Sequence, residues 1–121
     1  MDQKAREFRK GVHVSTSDDE DIELYEYVLA NRKRVLGSDH PDTLSSYSDL
    51  ANAYRSAGRI DEAIELYENL VPDRIRVLGE DHPQTLWTRC DLAEAYKDAG
   101  RTDEAIELYE QIIKELGSSD A

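Results

Sequence analysis

Apolar side chains recur along this chain at the three- and four-residue spacing that gathers them on one side of a helix. Leu44, Tyr47, Leu50, Ala51 and Tyr54 form the first clear stripe, and such a stripe predicts an amphipathic helix with that face buried. Ala57-Gly58-Arg59 interrupts it, and Gly58 suits the left-handed position just past a helix C-terminus. Ile60, Ala63, Ile64, Tyr67, Leu70 and Val71 then resume the pattern, with Asp61 and Glu62 in the first turn, where carboxylates complement the positive end of the helix dipole. Gly79 closes this second helix after Arg74 and Arg76 in its last turns. The unit predicted is helix–turn–helix.

The unit is repeated. His40 and His82 lie 42 residues apart, as do Pro41 and Pro83, Gly58 and Gly100, and Tyr67 and Tyr109. Residues 43–72 and 85–114 align without gaps at 18 identities in 30 positions. Residues 21–42 lie over 63–84 in the same register, and ahead of them Phe8 falls over Leu50 and Gly11 over Ala53. The organisation expected is one repeat domain over 1–121: a degraded first copy at 1–42, a second at 43–84, and a truncated third at 85–121. Ala51, Ala53 and Ala63, repeated as Ala93, Ala95 and Ala105, are small enough to let two helices cross closely. Tyr54, Tyr67, Tyr96 and Tyr109 share the phase of apolar neighbours and are expected to pack rather than react.

Leu50-Ala51-x-x-Tyr54, Gly58, Ala63 and Tyr67 together resemble the tetratricopeptide repeat. The 42-residue period and the LGxDHPxTL joint resemble the longer variant found in kinesin light chains and many bacterial regulatory proteins. The resemblance covers about residues 16–117. It implies an all-α fold, with antiparallel helix–turn–helix units stacked into a short right-handed solenoid, and a concave groove that holds a protein or peptide. Two positions depart from the pattern. Arg89 stands where the family's first helix carries an apolar or aromatic residue, as Tyr47 does in the preceding copy. Pro72 falls inside a second helix, where the other copies have Ala30 and Lys114. An interior proline costs about 3 kcal/mol, so a bent or split helix is expected there.

Composition narrows the function. The formal net charge is −12, which argues against a nucleic acid partner, because phosphate backbones are held by clustered Lys and Arg. Residues 1–14 differ, with four basic and two acidic side chains. No apolar run reaches the ~18 residues of a membrane span, and the N-terminus lacks the apolar core of a signal peptide. A lone cysteine, Cys90, suits a reducing compartment. A cytoplasmic protein without a membrane partner is expected.

LGSDHPDTL (36–44) and LGEDHPQTL (78–86) each set a histidine between aspartate and proline, which raises metal or acid–base chemistry. A zinc site needs three or four converging ligands, and there is no HExxH, no CxxC and no second histidine near either pair. Nucleophilic catalysis needs an activated Ser or Cys and an oxyanion pocket, and nothing in the sequence points to one. A joint accounts for every letter. Gly37 and Gly79 end a helix, and Pro41 and Pro83 suit the first helical turn. His40 and His82 are forced into the extended conformation of a cap. Asp39 and Asp81 are expected to bond backbone N–H groups of the turn. No catalytic residue, metal ligand or cofactor is therefore expected.

In the family the first helix of each repeat lines the groove. On this sequence that implies partner-binding positions at Ser45, Ser48, Asn52 and Arg55, and at Trp87, Cys90, Glu94 and Lys97, which are also the polar positions left outside the apolar stripe. Their identities diverge between copies, as a tuned surface would, or as a drifting solvated one. Asn52 and Arg55 suit a peptide backbone or carboxylate. Trp87 suits either an apolar anchor or cover for a repeat boundary. Asn52 alone matches the carboxylate clamp of chaperone-binding members, so that specificity is not carried over. Cys90 is either a reactive thiol or a small packing residue, and Asp91 and Glu94 would oppose its ionisation. Arg6, Lys10 and His13 either extend the groove or belong to a frayed terminus.

The last helix presents Ile106, Tyr109, Ile113 and Leu116 without a polar helix after it, and arrays need about three repeats and polar caps. Two functions follow: a non-enzymatic module holding a peptide or protein segment in the groove, or a self-association module that forms a homo-oligomer through uncapped repeat ends.

Overall fold

The computed structural model describes residues 13–120, with side chains over 18–117. Among the described residues there are five helices and no strand: α1 (His13–Leu36), α2 (Pro41–Ser56), α3 (Ile60–Leu78), α4 (Pro83–Asp98) and α5 (Thr102–Asp120). The substantial packing runs between consecutive helices, α1 on α2, α2 on α3, α3 on α4 and α4 on α5. An array in which each element touches its neighbours is the all-α repeat solenoid that the 42-residue period predicts. Residues 1–12, which open the degraded first copy, lie outside the described residues, and so do the side chains of Arg6, Lys10 and His13.

Each joint is built from the residues that mark it. Gly58 has φ +81°, and the N–H of Arg59 donates to the Tyr54 carbonyl while that of Gly58 donates to Arg55. These two bonds form a Schellman turn, which favours glycine for its positive φ. At the LGxDHPxTL joints, His40 and His82 are extended and precede a proline in the first helical turn. Their side chains, not the aspartates, provide the cap: Nδ1 of His40 accepts from the Asp42 N–H at 3.0 Å, and Nδ1 of His82 from the Gln84 N–H at 3.1 Å. Asp39, expected to serve the turn, instead receives both terminal nitrogens of Arg76, at 2.8 and 3.1 Å. That contact ties the first joint to the last turn of α3.

Small and aromatic residues fill the crossings. Ala51, Ala63, Ile64, Tyr67, Leu92 and Ala95 form the central cluster, with Tyr54 and Tyr96 packed on it. A second cluster, Ile22, Leu29 and Leu50, joins α1 to α2. The tyrosine hydroxyls reach polar groups at the rim, Tyr54 to Glu26 at 3.0 Å and Tyr96 to Glu68 at 2.6 Å. The same bond recurs one repeat on.

Both departures from the family pattern have local explanations. Pro72 does not split its helix; α3 runs unbroken from Ile60 to Leu78. Pro72 is exposed, so its ring meets solvent, and the backbone cost is one missing bond to the Glu68 carbonyl. Arg89, only 5% exposed, is held by Glu115 of α5 through two bonds of 2.7 and 3.1 Å.

Candidate peptide-binding groove

α2 and α4 present their polar faces side by side. Three clefts run along them. One, of about 270 Å³, lies between α2 and α4 and is lined among others by Ser45, Ser48, Asp49, Trp87 and Asp91, with Arg74 of α3. A second, of about 330 Å³, is formed by Asn52, Arg55, Ser56 and Asp98. A third, of about 210 Å³, brings Asp18, Asp21 and Tyr25 of α1 against Asp49, Asn52, Ala53 and Ser56 of α2. Asn52 lines all three, so they meet at this residue.

The eight residues expected on this face are not equivalent. Ser45, Ser48, Asn52 and Trp87 line the groove directly, and Trp87 is 65% exposed. Asn52 also accepts a hydrogen bond from the Tyr67 hydroxyl of its own repeat. Glu94, at the matching position of the next repeat, accepts from Tyr109 at 2.9 Å. Arg55 is engaged across the repeat boundary, with Nε 2.7 Å from Asp98 and Nη2 3.2 Å from Glu94. Burial opposes its charge, but the hydrogen bond to Asp98 and the fields of Asp98 and Glu94 outweigh it and raise its pKa. Lys97 is exposed, and Cys90 is half-buried. Burial first, then the Asp91 charge, pushes the Cys90 thiol up, which opposes a reactive thiolate.

Among the lining residues that periodicity missed are four at the α2–α4 cleft. Asp49 and Asp91 are the same residue in both copies, so a search for positions that vary between repeats passes over them. Gln84 sits in the joint, where its side-chain oxygen accepts from Arg74 at 3.0 Å. Arg74 is 3% exposed, and its place four residues after Leu70, on the apolar stripe, was the available signal. Arg32 holds the same register position and donates to the Asp42 carbonyl and Ser46 Oγ at 3.1 and 3.0 Å. At the far end of the array Ile106, Ile113 and Leu116 are 49%, 67% and 44% exposed, while Tyr109 is half-buried. Among the described residues no helix is long and apolar enough to cross a membrane.

No curated protein matches the chain. Among solved structures it is similar to the nearly identical TPR-like repeats of a protein assigned as a kinesin light chain in Podosopora anserina, with 36% identity and a TM-score of 0.74. A variant of that protein gives the same identity and a TM-score of 0.75. Each match covers 93% of this chain and 51% of the other, so the chain spans about half the length of these relatives. The tetratricopeptide repeat model matches residues 19–72 and 59–114. The chain belongs to the tetratricopeptide repeat family, with repeats similar to the kinesin-light-chain type.

Proposed function

We propose that the groove along α2 and α4 holds an extended peptide or protein segment, without chemistry on it. Repeats of this family mediate protein–protein interaction, and the observation that carries the reading here is that three clefts along this face adjoin at Asn52. Serine hydroxyls and the Asn52 amide offer hydrogen bonds to a peptide backbone, and exposed Trp87 offers a ring to one of its side chains. A single half-buried thiol accords with work in the reducing cytoplasm.

The test is a peptide array probed with the wild type and with a Ser48→Tyr/Trp87→Ala variant. Ser48→Tyr fills the cleft from α2, and Trp87→Ala removes the exposed ring. Spots bound by the wild type should dim about tenfold with helicity and melting unchanged. Equal binding by both proteins would refute the groove.

A second reading, self-association through α5, is favoured by one observation. Ile106 and Leu116 are 49% and 44% exposed, whereas Ile64 and Arg74, their counterparts one repeat earlier, are each 3% exposed beneath the next helix.

A further inference from the structure

The groove's bonding defines the ligand that suits it. Arg55 offers little to an acidic ligand, because Asp98 and Glu94 already hold its guanidinium. Arg74 is buried at the edge of the α2–α4 cleft. Against these two cations the three clefts present five aspartates: Asp18, Asp21, Asp49, Asp91 and Asp98. Asp98 pairs with Arg55. Asp49 and Asp91 make no hydrogen bond or ion pair with any described residue, although both feel the Arg74 charge at longer range.

Asp91 is the more telling of the two. It is half-buried, and burial first of all pushes its pKa up, against the lowering fields of Arg55 and Arg74. A carboxylate withdrawn from water without a partner is destabilising. Trp87 stands in the same cleft with 65% of its surface exposed. A tryptophan face beside carboxylates is the arrangement that attracts a guanidinium or ammonium by cation–π contact and charge together. The cleft volume of about 270 Å³ lies just below the ~300–1,000 Å³ of small-molecule pockets, and suits one long side chain rather than a folded element.

We propose that the groove takes an extended basic peptide segment, with one arginine or lysine side chain entering the α2–α4 cleft, its cation on the face of Trp87 and opposite Asp49 and Asp91. This rests on the groove reading and names its ligand class. The free amide nitrogen of Asn52 can donate to a backbone carbonyl of the segment. The chain's charge of −12 speeds encounter with such a segment, but the cleft provides the selectivity.

Trp87 is the sole tryptophan, so its fluorescence reports on the cleft directly. The probes are three short labelled peptides of one length, in which serine alternates with arginine, glutamine or glutamate. The arginine peptide should shift Trp87 emission and bind about tenfold tighter than the glutamine peptide, weakening as salt is added. The glutamate peptide should not bind. Asp49→Asn/Asp91→Asn should weaken the arginine peptide about tenfold by anisotropy without lowering the melting temperature. Glu107→Gln/Glu110→Gln, which removes equal charge from exposed positions on α5, should leave binding unchanged.

Equal binding of arginine and glutamine peptides, or full binding by the Asp49→Asn/Asp91→Asn variant, overturns the proposal. If glutamine or glutamate peptides bind best and Ser48→Tyr abolishes that binding, the groove stands and its basic ligand falls. If the arginine peptide binds Ser48→Tyr as well as wild type, the groove falls too, leaving only diffuse attraction to an acidic chain.

Discussion

His40 and His82 do with a ring nitrogen what Asn or Asp usually does at a helix start. Nδ1 sits 3.0 or 3.1 Å from a backbone N–H two residues on, and the following proline needs no acceptor of its own. The residue is thus replaceable by a better capping side chain but not by a methyl group. His40→Asn should leave urea-unfolding stability within a few tenths of a kcal/mol, whereas His40→Ala should cost about 1 kcal/mol. A loss in His40→Asn as large as in His40→Ala would show that the imidazole contributes more than a cap. The extended backbone of these histidines followed from the proline after them. Which side chain caps did not follow, because Asp39 and His40 both carry an acceptor. At the first joint Arg76, 36 residues after His40, holds Asp39, but His82 caps the second joint in the same way with no such bond on Asp81 among the described residues.

Single helices show the same division between what the pattern dictates and what a distant partner decides. α3 keeps Pro72 in its interior, and because the ring is exposed its removal loses no packing. Pro72→Ala restores the bond to the Glu68 carbonyl and should raise stability by about 1–3 kcal/mol, seen as a higher urea midpoint. At the α4–α5 contact, Arg89 looked out of place because repeat periodicity compares a residue with its own copies, not with the partner that replaces theirs. Arg89 and Glu115 stand where the previous repeat has Tyr47 and Asp73, and there Asp73 bonds Arg76 of its own helix instead. Glu115→Ala strands a guanidinium that is 5% exposed and should cost about 1–3 kcal/mol, since Glu115 itself is part-exposed and water replaces some of the contact. The Arg89 hydrogen bond holds the Glu115 pKa below 4.5. The folded value is therefore lower than the unfolded one. The stability this pair contributes is present above pH 4.5 and is lost as pH falls through the folded value. Arg89→Tyr/Glu115→Asp, which installs the previous repeat's residues and strands no buried charge, should recover most of the Glu115→Ala loss. It should also show a shallower decline in acid. An unchanged acid limb would place the titrating contact elsewhere.

At the scale of the whole molecule, the period made the architecture legible because each joint uses residues whose conformations are narrow: positive-φ glycine, N1 proline and an extended residue before it. The groove was legible in outline for a related reason, since whatever lies opposite an apolar stripe faces away from the core. Its chemistry was less so. That Arg55 is neutralised while Asp91 stands unpaired depends on distances between repeats, and no spacing within one repeat encodes them. The same neighbour logic bears on the end of the array. In the interior, Ile64 is 3% exposed because α4 covers it, while on α5 Ile106, Ile113 and Leu116 are 49%, 67% and 44% exposed. Apolar side chains at helical spacing along one exposed face favour association with another such face. Sedimentation over a wide concentration range should therefore show a monomer giving way to a dimer as protein is added. Ile106→Lys/Ile113→Lys should hold the chain monomeric, without the rise in melting temperature at high concentration that association gives the wild type. Because neither isoleucine belongs to the groove, the variant should bind peptide as the wild type does, and a loss of binding would mean that the groove is completed only in the dimer. A wild type that stays monomeric throughout would rule out self-association through α5.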